Sequence, residues 1–596
     1  VNDLITLGST GNTLVVLGIE TLLGGAGTDI VTIGTAGGTL LALGIETLVG
    51  GVGVDVILTG SAGSTLTVSG ADFVIGNAGT DVLTLGSAGN TTTIRNIETL
   101  IGGAGSDLAI LGDTGNRLTL GVGIEILVGG AGQDIVTIGT GGTTLLTRGV
   151  ETLIGGVGAD VITLGDTPNI VTVTGIDTLT GGANTDIVFT ASTGVTMTAS
   201  GVEVLVGGAG SDVVTLGDTA NTITVRGIDT LSGGAGSDLM FLGDTGVTMR
   251  AESRVEIVVG GAGNDIVSLG DGGNTVLLRG IETLTGGTGN DAITLGDTPN
   301  TVTVTGVETL TGGASTDIVL TGSAGVTMTA AGVEFLIGGT GSDVVTLGAA
   351  GNTVITRGID TMIGGAGSDL VILGDVLLRG IETLTGGTGN DVITLGDTGV
   401  TMSVSGIETL IGGAGTDAIT VTGGSGIRFQ AGTGDSLSLA SGSGTDTVVY
   451  SSFTDISALG ANTGFVSVSN FQSGTDKVQL TGTARTAADK NGDASLSTAS
   501  AATNGVNIGS NELVSLTSVV SGSLTDASLA SFRSALGTLT NSSAGASTLV
   551  LANNGTSSGL YQVVDTNGDG QVAATEVRLL GVYNGTVLSL SDINLG

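Results

Sequence analysis

The sequence predicts an all-β chain wound as a parallel β-solenoid, with a small, mixed and mainly β region at its C-terminal end. Three observations carry that expectation. Glycine supplies 114 of the 596 residues, proline only 2, and aromatic residues 2%. A glycine-rich phrase returns at a nearly constant interval. The stretches between its copies are short runs of Val, Ile, Leu and Thr that alternate in part with period two.

Composition excludes the competing classes. Collagen needs glycine at every third position, and this glycine is not spaced that way. Disorder needs low hydrophobicity, whereas 40% of the chain is apolar and its mean hydropathy is +0.50. Acids outnumber bases 54 to 15, for a net charge of −39. That balance argues against nucleic acid, whose phosphates require Lys and Arg. It favours a polyvalent cation, which relieves the repulsion between neighbouring carboxylates. Cys and His are absent, so disulfides, zinc fingers and Cys or His nucleophile systems are excluded. No run of about 20 apolar residues reads as a membrane span.

The repeated phrase is Gly-Gly-x-Gly-x-Asp. It begins at Gly24, Gly50, Gly76, Gly102, Gly129, Gly155, Gly181, Gly207, Gly233, Gly260, Gly286, Gly312, Gly338, Gly364, Gly386 and Gly412. The numbering steps by 26, except by 27 before Gly129 and Gly260 and by 22 before Gly386. Thirteen of the 16 copies keep all four fixed positions; Asn77, Asn184 and Ser315 mark the departures. Asp3 stands in the register of Asp29, which places Val1 inside a repeat and predicts further chain before it.

Each unit holds three strand candidates. In the unit starting at Gly286 they are Asp291–Leu295, Thr301–Thr305 and Val307–Thr311, separated by Gly296-Asp-Thr-Pro-Asn300, Gly306 and Gly312-Gly313. Three strands and three turns in each repeat predict that one repeat makes one coil of a parallel β-helix. Stacked coils bring equivalent residues about 4.8 Å apart and bury ladders of Val, Leu and Ile that no single coil can bury alone. An 18-residue β-roll ranks second, because a step of 26 does not keep its half-turns in simple register.

Phrases such as Gly286-Gly-Thr-Gly-Asn-Asp291 resemble the calcium motif of the repeats-in-toxin family, over residues 1 to about 450. The resemblance implies calcium held between neighbouring turns by backbone carbonyls and the motif aspartate. The residues support it: glycine permits tight turns that expose backbone oxygens, and a hard cation neutralises a carboxylate column. The expected ligands are Asp29, Asp55, Asp81, Asp107, Asp134, Asp160, Asp186, Asp212, Asp238, Asp265, Asp291, Asp317, Asp343, Asp369, Asp391 and Asp417. Family repeats usually run as tandem nonapeptides, whereas one good motif occurs here per 26 residues, so some calcium sites are expected to be incomplete.

A second acidic column runs through Glu20, Glu46, Asp72, Glu98, Glu125, Glu151 and Asp177 to Glu408, in a Gly-Ile-Glu-Thr-Leu phrase that recurs in surface-layer proteins of that family. Arginine stands three residues before the acid at Arg95, Arg148, Arg226, Arg279, Arg357 and Arg379. This reads as charge compensation on a solvated face rather than a second metal column.

The periodicity fades after Asp417. The expected organisation is a calcium-binding solenoid over 1–420, degenerate repeats and closing strands over 421–480, and a C-terminal region over 481–596. Gly432-Thr-Gly-Asp435 and Gly442-Ser-Gly-Thr-Asp446 read as worn last repeats. Thr447–Tyr450, Phe465–Val468 and Lys477–Leu480 read as strands, and Asp526–Leu536 as a helix with Thr525 as N-cap and Gly537 as stop. The phrase Asp565-Thr-Asn-Gly-Asp-Gly-Gln-Val-Ala-Ala-Thr-Glu576 matches an EF-hand loop. Asp565, Asn567 and Asp569 fill positions 1, 3 and 5, Gly570 the bend, Gln571 the carbonyl position and Glu576 the bidentate position. A strand, not a helix, precedes it. Asp489, Asn491 and Asp493 begin a similar loop, but Ala494 replaces its glycine and Ser500 its glutamate.

The expected function follows from a chain that is nearly all scaffold. It is a secreted, calcium-dependent structural protein of a bacterial surface layer, sheath or filament, exported in one step through an uncleaved C-terminal signal. Its expected partners are calcium, other copies of itself and cell-surface polysaccharide; nucleic acid and a membrane span are not expected. The alternative is a calcium-stabilised adhesin or matrix protein. A polysaccharide-active β-helix enzyme ranks lower, since there is no His and the three Tyr lie at or beyond Tyr450. An ice-binding solenoid ranks lower still, because rows such as Arg117–Leu120 break the Thr ladder seen at Thr301, Thr303 and Thr305.

Overall fold

The computed structural model describes residues 2–596 other than 366, 368, 374–382, 387–389, 396–398, 424, 425, 443, 461, 502–504 and 527. They form two compact units, Val1–Asn290 and Asp291–Gly596.

The first unit is a parallel β-solenoid. Thr13–Val16 pairs with Ile30–Ile33, which pairs with Thr47–Val49, which pairs with Thr65–Ser69, all parallel. The strands between them, Thr21–Leu23, Gly38–Leu43 and Asp55–Thr59, pair with one another in a second sheet. Each strand therefore pairs with the next but one, and a coil contains two strands.

The solenoid is as expected, but a coil made of one whole repeat with three strands is not. Partners in register are Thr13 with Ile30, Ile30 with Thr47, and Thr47 with Thr67, so the numbering advances by 17, 17 and 20 from coil to coil. The physical reason lies in the turns. All three turns of a repeat carry the chain from one sheet to the other, so none acts as the corner of a triangle. A repeat of three strands thus covers one and a half coils, and consecutive repeats enter opposite sheets: Asp29 precedes Ile30–Ile33 in one, while Asp55 opens Asp55–Thr59 in the other. The geometry is close to the roll ranked second. Its half-turns stay in register because turn types recur in a fixed order of three along each edge.

Burial follows the alternation. In Ile30–Ile33, Val31 and Ile33 face inward, and beyond the first coil the middle residues of the three-residue strands, such as Leu22, Leu48, Leu100 and Leu153, are fully buried. Each such leucine contributes about 1.5–3 kcal/mol relative to exposure. Glycine serves two separate needs. In the Gly-Ile-Glu turn it adopts a left-handed backbone, with φ +64° at Gly18 and Gly44, and Asn96 takes the equivalent place at +50°. At the motif glycines Gly24, Gly25 and Gly27 the constraint is the neighbouring coil: an added Cβ would lie 1.8 Å from the Gly44 carbonyl oxygen, 1.9 Å from that of Gly8 and 2.1 Å from the Gly11 nitrogen.

The second unit is wound in the same way, from Ala292–Leu295, Asn300–Thr305 and Thr309–Thr311 onward. At the shortened repeat, Thr361–Ile363 pairs with Thr383–Thr385 and Leu370–Leu373 with Val392–Thr394; Arg379 lies outside the described residues. The strands expected near 450, 466 and 477 form as Thr447–Tyr450, Val466–Ser469 and Lys477–Leu480. The C-terminal region closes this end. Ala546–Asn553, Ser558–Asp565 and Val577–Asn584 form an antiparallel meander whose last strand pairs with Val466–Ser469. Ile593–Leu595 pairs with Lys477–Leu480 in the other sheet. The helix expected over 526–536 is shorter, Ala530–Leu536, because Asp526, not Thr525, accepts the amides of Ala530 and Ser531.

Candidate metal centres

All sixteen motif aspartates are buried at the edges of the solenoid, but they do not form one column. Successive copies alternate between edges, except that Asp369 and Asp391 at the shortened repeat follow each other on one edge; Asp29 and Asp81 thus share an edge three coils apart, about 14 Å at ordinary strand spacing. The aspartate in each copy has different neighbours from those expected. Asp29 Oδ1 accepts the backbone amide of Asn12 at 2.8 Å and its Nδ2 at 2.7 Å, and Oδ2 accepts the Gly25 amide at 3.0 Å. The Asn12 side chain holds the Asp29 carboxyl below the usual carboxylate range, and the Gly25 and Asn12 amides add to that against the opposing effect of burial. The same arrangement recurs at Asn116 with Asp134 and at Asn221 with Asp238.

The second acidic column has a role that its sequence did not reveal. The amide of a motif aspartate donates to the column's acid one coil on: Asp29 to Glu46, Asp134 to Glu151, Asp212 to Asp229 and Asp317 to Glu334, at 2.8 Å in each case. At the shortened repeat the next motif aspartate takes that place, and Asp369 donates to Asp391 at 3.0 Å. Arg95, Arg148, Arg226 and Arg357 form no ion pair among the described residues, so compensation by arginine is replaced by amide donation. At Ser64, Val195 and Val326, where other repeats carry the asparagine, the hydroxyls of Thr59, Thr190 and Thr321 reach Oδ2 of Asp81, Asp212 and Asp343 at 2.9–3.0 Å.

These edges offer carboxylate and carbonyl oxygen and neither nitrogen nor sulfur ligands, a donor set that suits calcium rather than a transition metal. Carbonyl oxygens of Gly8 and Gly44 face the motif glycines from the adjacent coils. Among the described residues no group of three or more acidic side chains closes on one point.

The loop at Asp565 joins the antiparallel strands Ser558–Asp565 and Val577–Asn584 and is not flanked by a helix pair. Asp565 and Glu576 are buried, whereas Asn567 and Asp569 lie at the surface of the turn. Asp565 accepts the amides of Gly568 at 2.6 Å and Gly570 at 3.0 Å. Asn567 Oδ1 accepts the Asp569 amide at 3.0 Å, and Asp569 Oδ1 that of Gln571 at 2.7 Å. Glu576 bends back over the loop to the amides of Thr566 at 2.9 Å and Ala573 at 3.0 Å. Burial raises the Asp565 and Glu576 carboxyls, but hydrogen bonds from Ser542, Gly570 and Gly568, and from Thr566 and Ala573, outweigh it and leave both lowered.

The loop at Asp489 is built in the same way, contact for contact. Asp489 accepts the amides of Gly492 and Ala494 at 2.8 and 3.1 Å, and Asn491 Oδ1 that of Asp493 at 3.0 Å. Ala494 takes the left-handed bend of Gly570, with φ +63° against +68°. The acid that Ser500 fails to supply is Glu512. It accepts the amides of Lys490 at 2.6 Å and Ser497 at 2.7 Å, as Glu576 accepts those of Thr566 and Ala573. Glu512 comes 22 residues after Lys490, outside the span of a loop motif, and only its burial among polar neighbours marks it.

Ten segments of the chain match the family profile of the RTX calcium-binding nonapeptide repeat: 68–91, 147–167, 169–192, 198–225, 225–244, 253–277, 278–298, 329–356, 356–375 and 378–397. The chain carries RTX calcium-binding repeats. No curated relative matches the chain. Calcium is the ion of these RTX repeats, and the oxygen-lined edges are where the repeat motifs lie in the fold. Among the described residues no helix is long and apolar enough to cross a membrane.

Proposed function

We propose that this RTX protein is a secreted structural protein that assembles, with calcium, into a surface layer, sheath or filament. The observation that carries the reading is the division of its surface. In the repeats, acidic residues occupy the turns and strand starts, while the outward sheet faces present Thr and exposed apolar side chains. Val15 is 68% exposed and Ile170 62%, with Phe73, Leu146, Phe189 and Phe241 also open. Faces that carry Thr, apolar side chains and exposed arginines such as Arg95, Arg148 and Arg226, set between acidic edges, suit association with further copies: apolar surface is removed from water while arginine and calcium meet the acids.

In this reading residues 1–420 are the calcium-loaded scaffold, 421–480 its closing repeats and 481–596 a C-terminal region for export and assembly. The motif aspartates and turn carbonyls hold the calcium of the array, and Asp565, Asn567, Asp569, Gln571 and Glu576 hold another ion. In this reading the chain is scaffold rather than enzyme, which the lack of His and Cys and the burial of Tyr450, Tyr561 and Tyr583 support.

Light scattering and negative-stain imaging across a calcium titration test the proposal. Ordered polymers are expected in millimolar calcium, dispersing in chelator. A monodisperse folded monomer at every calcium level would refute assembly and favour a calcium-stabilised adhesin or matrix protein that binds polysaccharide.

A further inference from the structure

The turn Gly50-Gly-Val-Gly-Val-Asp55 stands apart from its fellows. Of the 16 motif copies, it alone carries valine in both variable places. Val52 is 86% exposed and Val54 63%. A lone apolar residue is ordinary on a surface, but here two share one tip, where alanine and threonine serve the same turn at Gly24-Gly-Ala-Gly-Thr-Asp29. One coil on stands Asp72, whose Oδ2 accepts the Asp55 amide at 2.8 Å. Asp72 forms no ion pair among the described residues.

A hollow of about 660 Å³ lies on the outer face of the sheet to which Asp55–Thr59 belongs. Leu108, Ile126, Val128 and Leu146 line it, with Arg148 and Asp166 toward the edge. Leu108 pairs in register with Ile126, and Ile126 with Leu146, so apolar side chains form a row across three coils. The volume falls within the range of about 300–1,000 Å³ typical of binding clefts. Asp166 accepts the Ala183 amide at 3.2 Å, whereas the Arg148 side chain has no hydrogen bond or ion pair among the described residues.

A chain cannot fill its own hollow. The valine turn stands where strands of that sheet begin, and Arg148 where one ends. Leu108–Leu111 also lies three coils beyond Asp55–Thr59. The two surfaces are therefore available only to different molecules.

We propose that the Val52–Val54 turn of one copy seats in the hollow of a second copy, with Asp72 of the first meeting Arg148 of the second. Charge and shape both select this occupant. An apolar tip beside an acid fits an apolar hollow beside an unpaired guanidinium, whose planar fork matches a carboxylate. A surface that meets a different surface on the next copy makes a heterologous contact, and such contacts continue as open chains unless the rotation closes a ring. The inference rests on the assembly reading and names the two surfaces that join.

Two variants of the full chain, followed by sedimentation velocity in millimolar calcium, test the contact. Val52→Ala with Val54→Thr gives this turn the side chains of the one at Gly24 and keeps every motif glycine and aspartate. Leu146→Asp places a charge in the hollow. Each variant alone is expected to stay monomeric under conditions in which the unmodified chain polymerises. An equimolar mixture is expected to form a 1:1 dimer and stop, because the open hollow of one variant takes the valines of the other; that dimer also shows both to be folded. Undiminished polymers in either variant, or a mixture that stays monomeric, would overturn the proposal and leave assembly to another contact. An unmodified chain that never polymerises would overturn the assembly reading and this contact with it.

Discussion

The backbone amide of Asp29 donates to Oε2 of Glu46, 2.8 Å away in the next coil. The acceptor matters in this contact more than the charge. Glu46→Gln is therefore expected to keep the edge closed, whereas Glu46→Ala leaves a buried amide unpaired at a cost of about 1–3 kcal/mol. Hydrogen exchange at the Asp29 amide reads this directly, and equal protection in both variants would contradict it. A repeat array opens locally, so a global melting temperature is a poorer measure.

The Thr190 hydroxyl replaces an asparagine that its repeat lacks. Thr190→Val should cost about 1 kcal/mol by removing a hydrogen bond to Asp212. Adding Val195→Asn should offset part of the loss through the carboxylate's other oxygen, since Asn221 donates to Asp238 Oδ1 from the equivalent position. The measurement is exchange at Gly208, whose amide donates to both Thr190 and Asp212. A double variant as loose as the single one would disprove the substitution.

Calcium is expected to raise the stability of the whole array. The chain carries a net charge of −39 and sets acids in neighbouring coils, so removing the ion restores their repulsion. Circular dichroism in chelator should show loss of β signal or a much lower melting temperature, with recovery on adding calcium. Identical melting curves after exhaustive chelation would count against it.

Glu576→Gln is expected to remove one calcium-binding event and loosen the C-terminal meander while the solenoid stays folded. The glutamate at the last position of such a loop supplies two oxygens to the ion, and an amide replaces one of them with a donor. Calorimetric titration showing every event retained would exclude the loop as a site.

Asp592 gives the C-terminal strand a dependence on acid. Burial raises its carboxyl, but the Ser473 hydroxyl and the amides of Ser589 and Gly474 outweigh that and leave it lowered. A folded value below the unfolded one means stability that is complete above the ordinary carboxylate range and lost as pH falls through the folded value. Ile593–Leu595 should therefore detach in acid, and Asp592→Asn should flatten that limb of a pH titration of its exchange rates. An unchanged limb would rule out the assignment.

The strands were largely legible in the sequence. Asp291–Leu295, Thr301–Thr305 and Val307–Thr311 fall within a residue or two of Ala292–Leu295, Asn300–Thr305 and Thr309–Thr311. The winding was not, because periodicity gives the spacing of turns and not the angle through which each one swings the chain. A clue lay in the likeness of Gly8-Ser-Thr-Gly-Asn12 to Gly25-Ala-Gly-Thr-Asp29, two turns that stack 17 residues apart. The loop at Asp565 was legible because its acids lie within one short phrase. Glu512 was not, since chain topology alone brings it to Asp489.

Three strands to a repeat and two to a coil set an odd number against an even one. Deleting a single repeat would turn everything beyond it by half a revolution, exchanging the faces shown to either side. Deleting a pair would remove three whole coils and leave the facing of the rest intact. Within such an array, repeats can be gained or lost in pairs without disturbing a surface contact, whereas a lone insertion adds one and a half coils and exchanges the faces of everything beyond it.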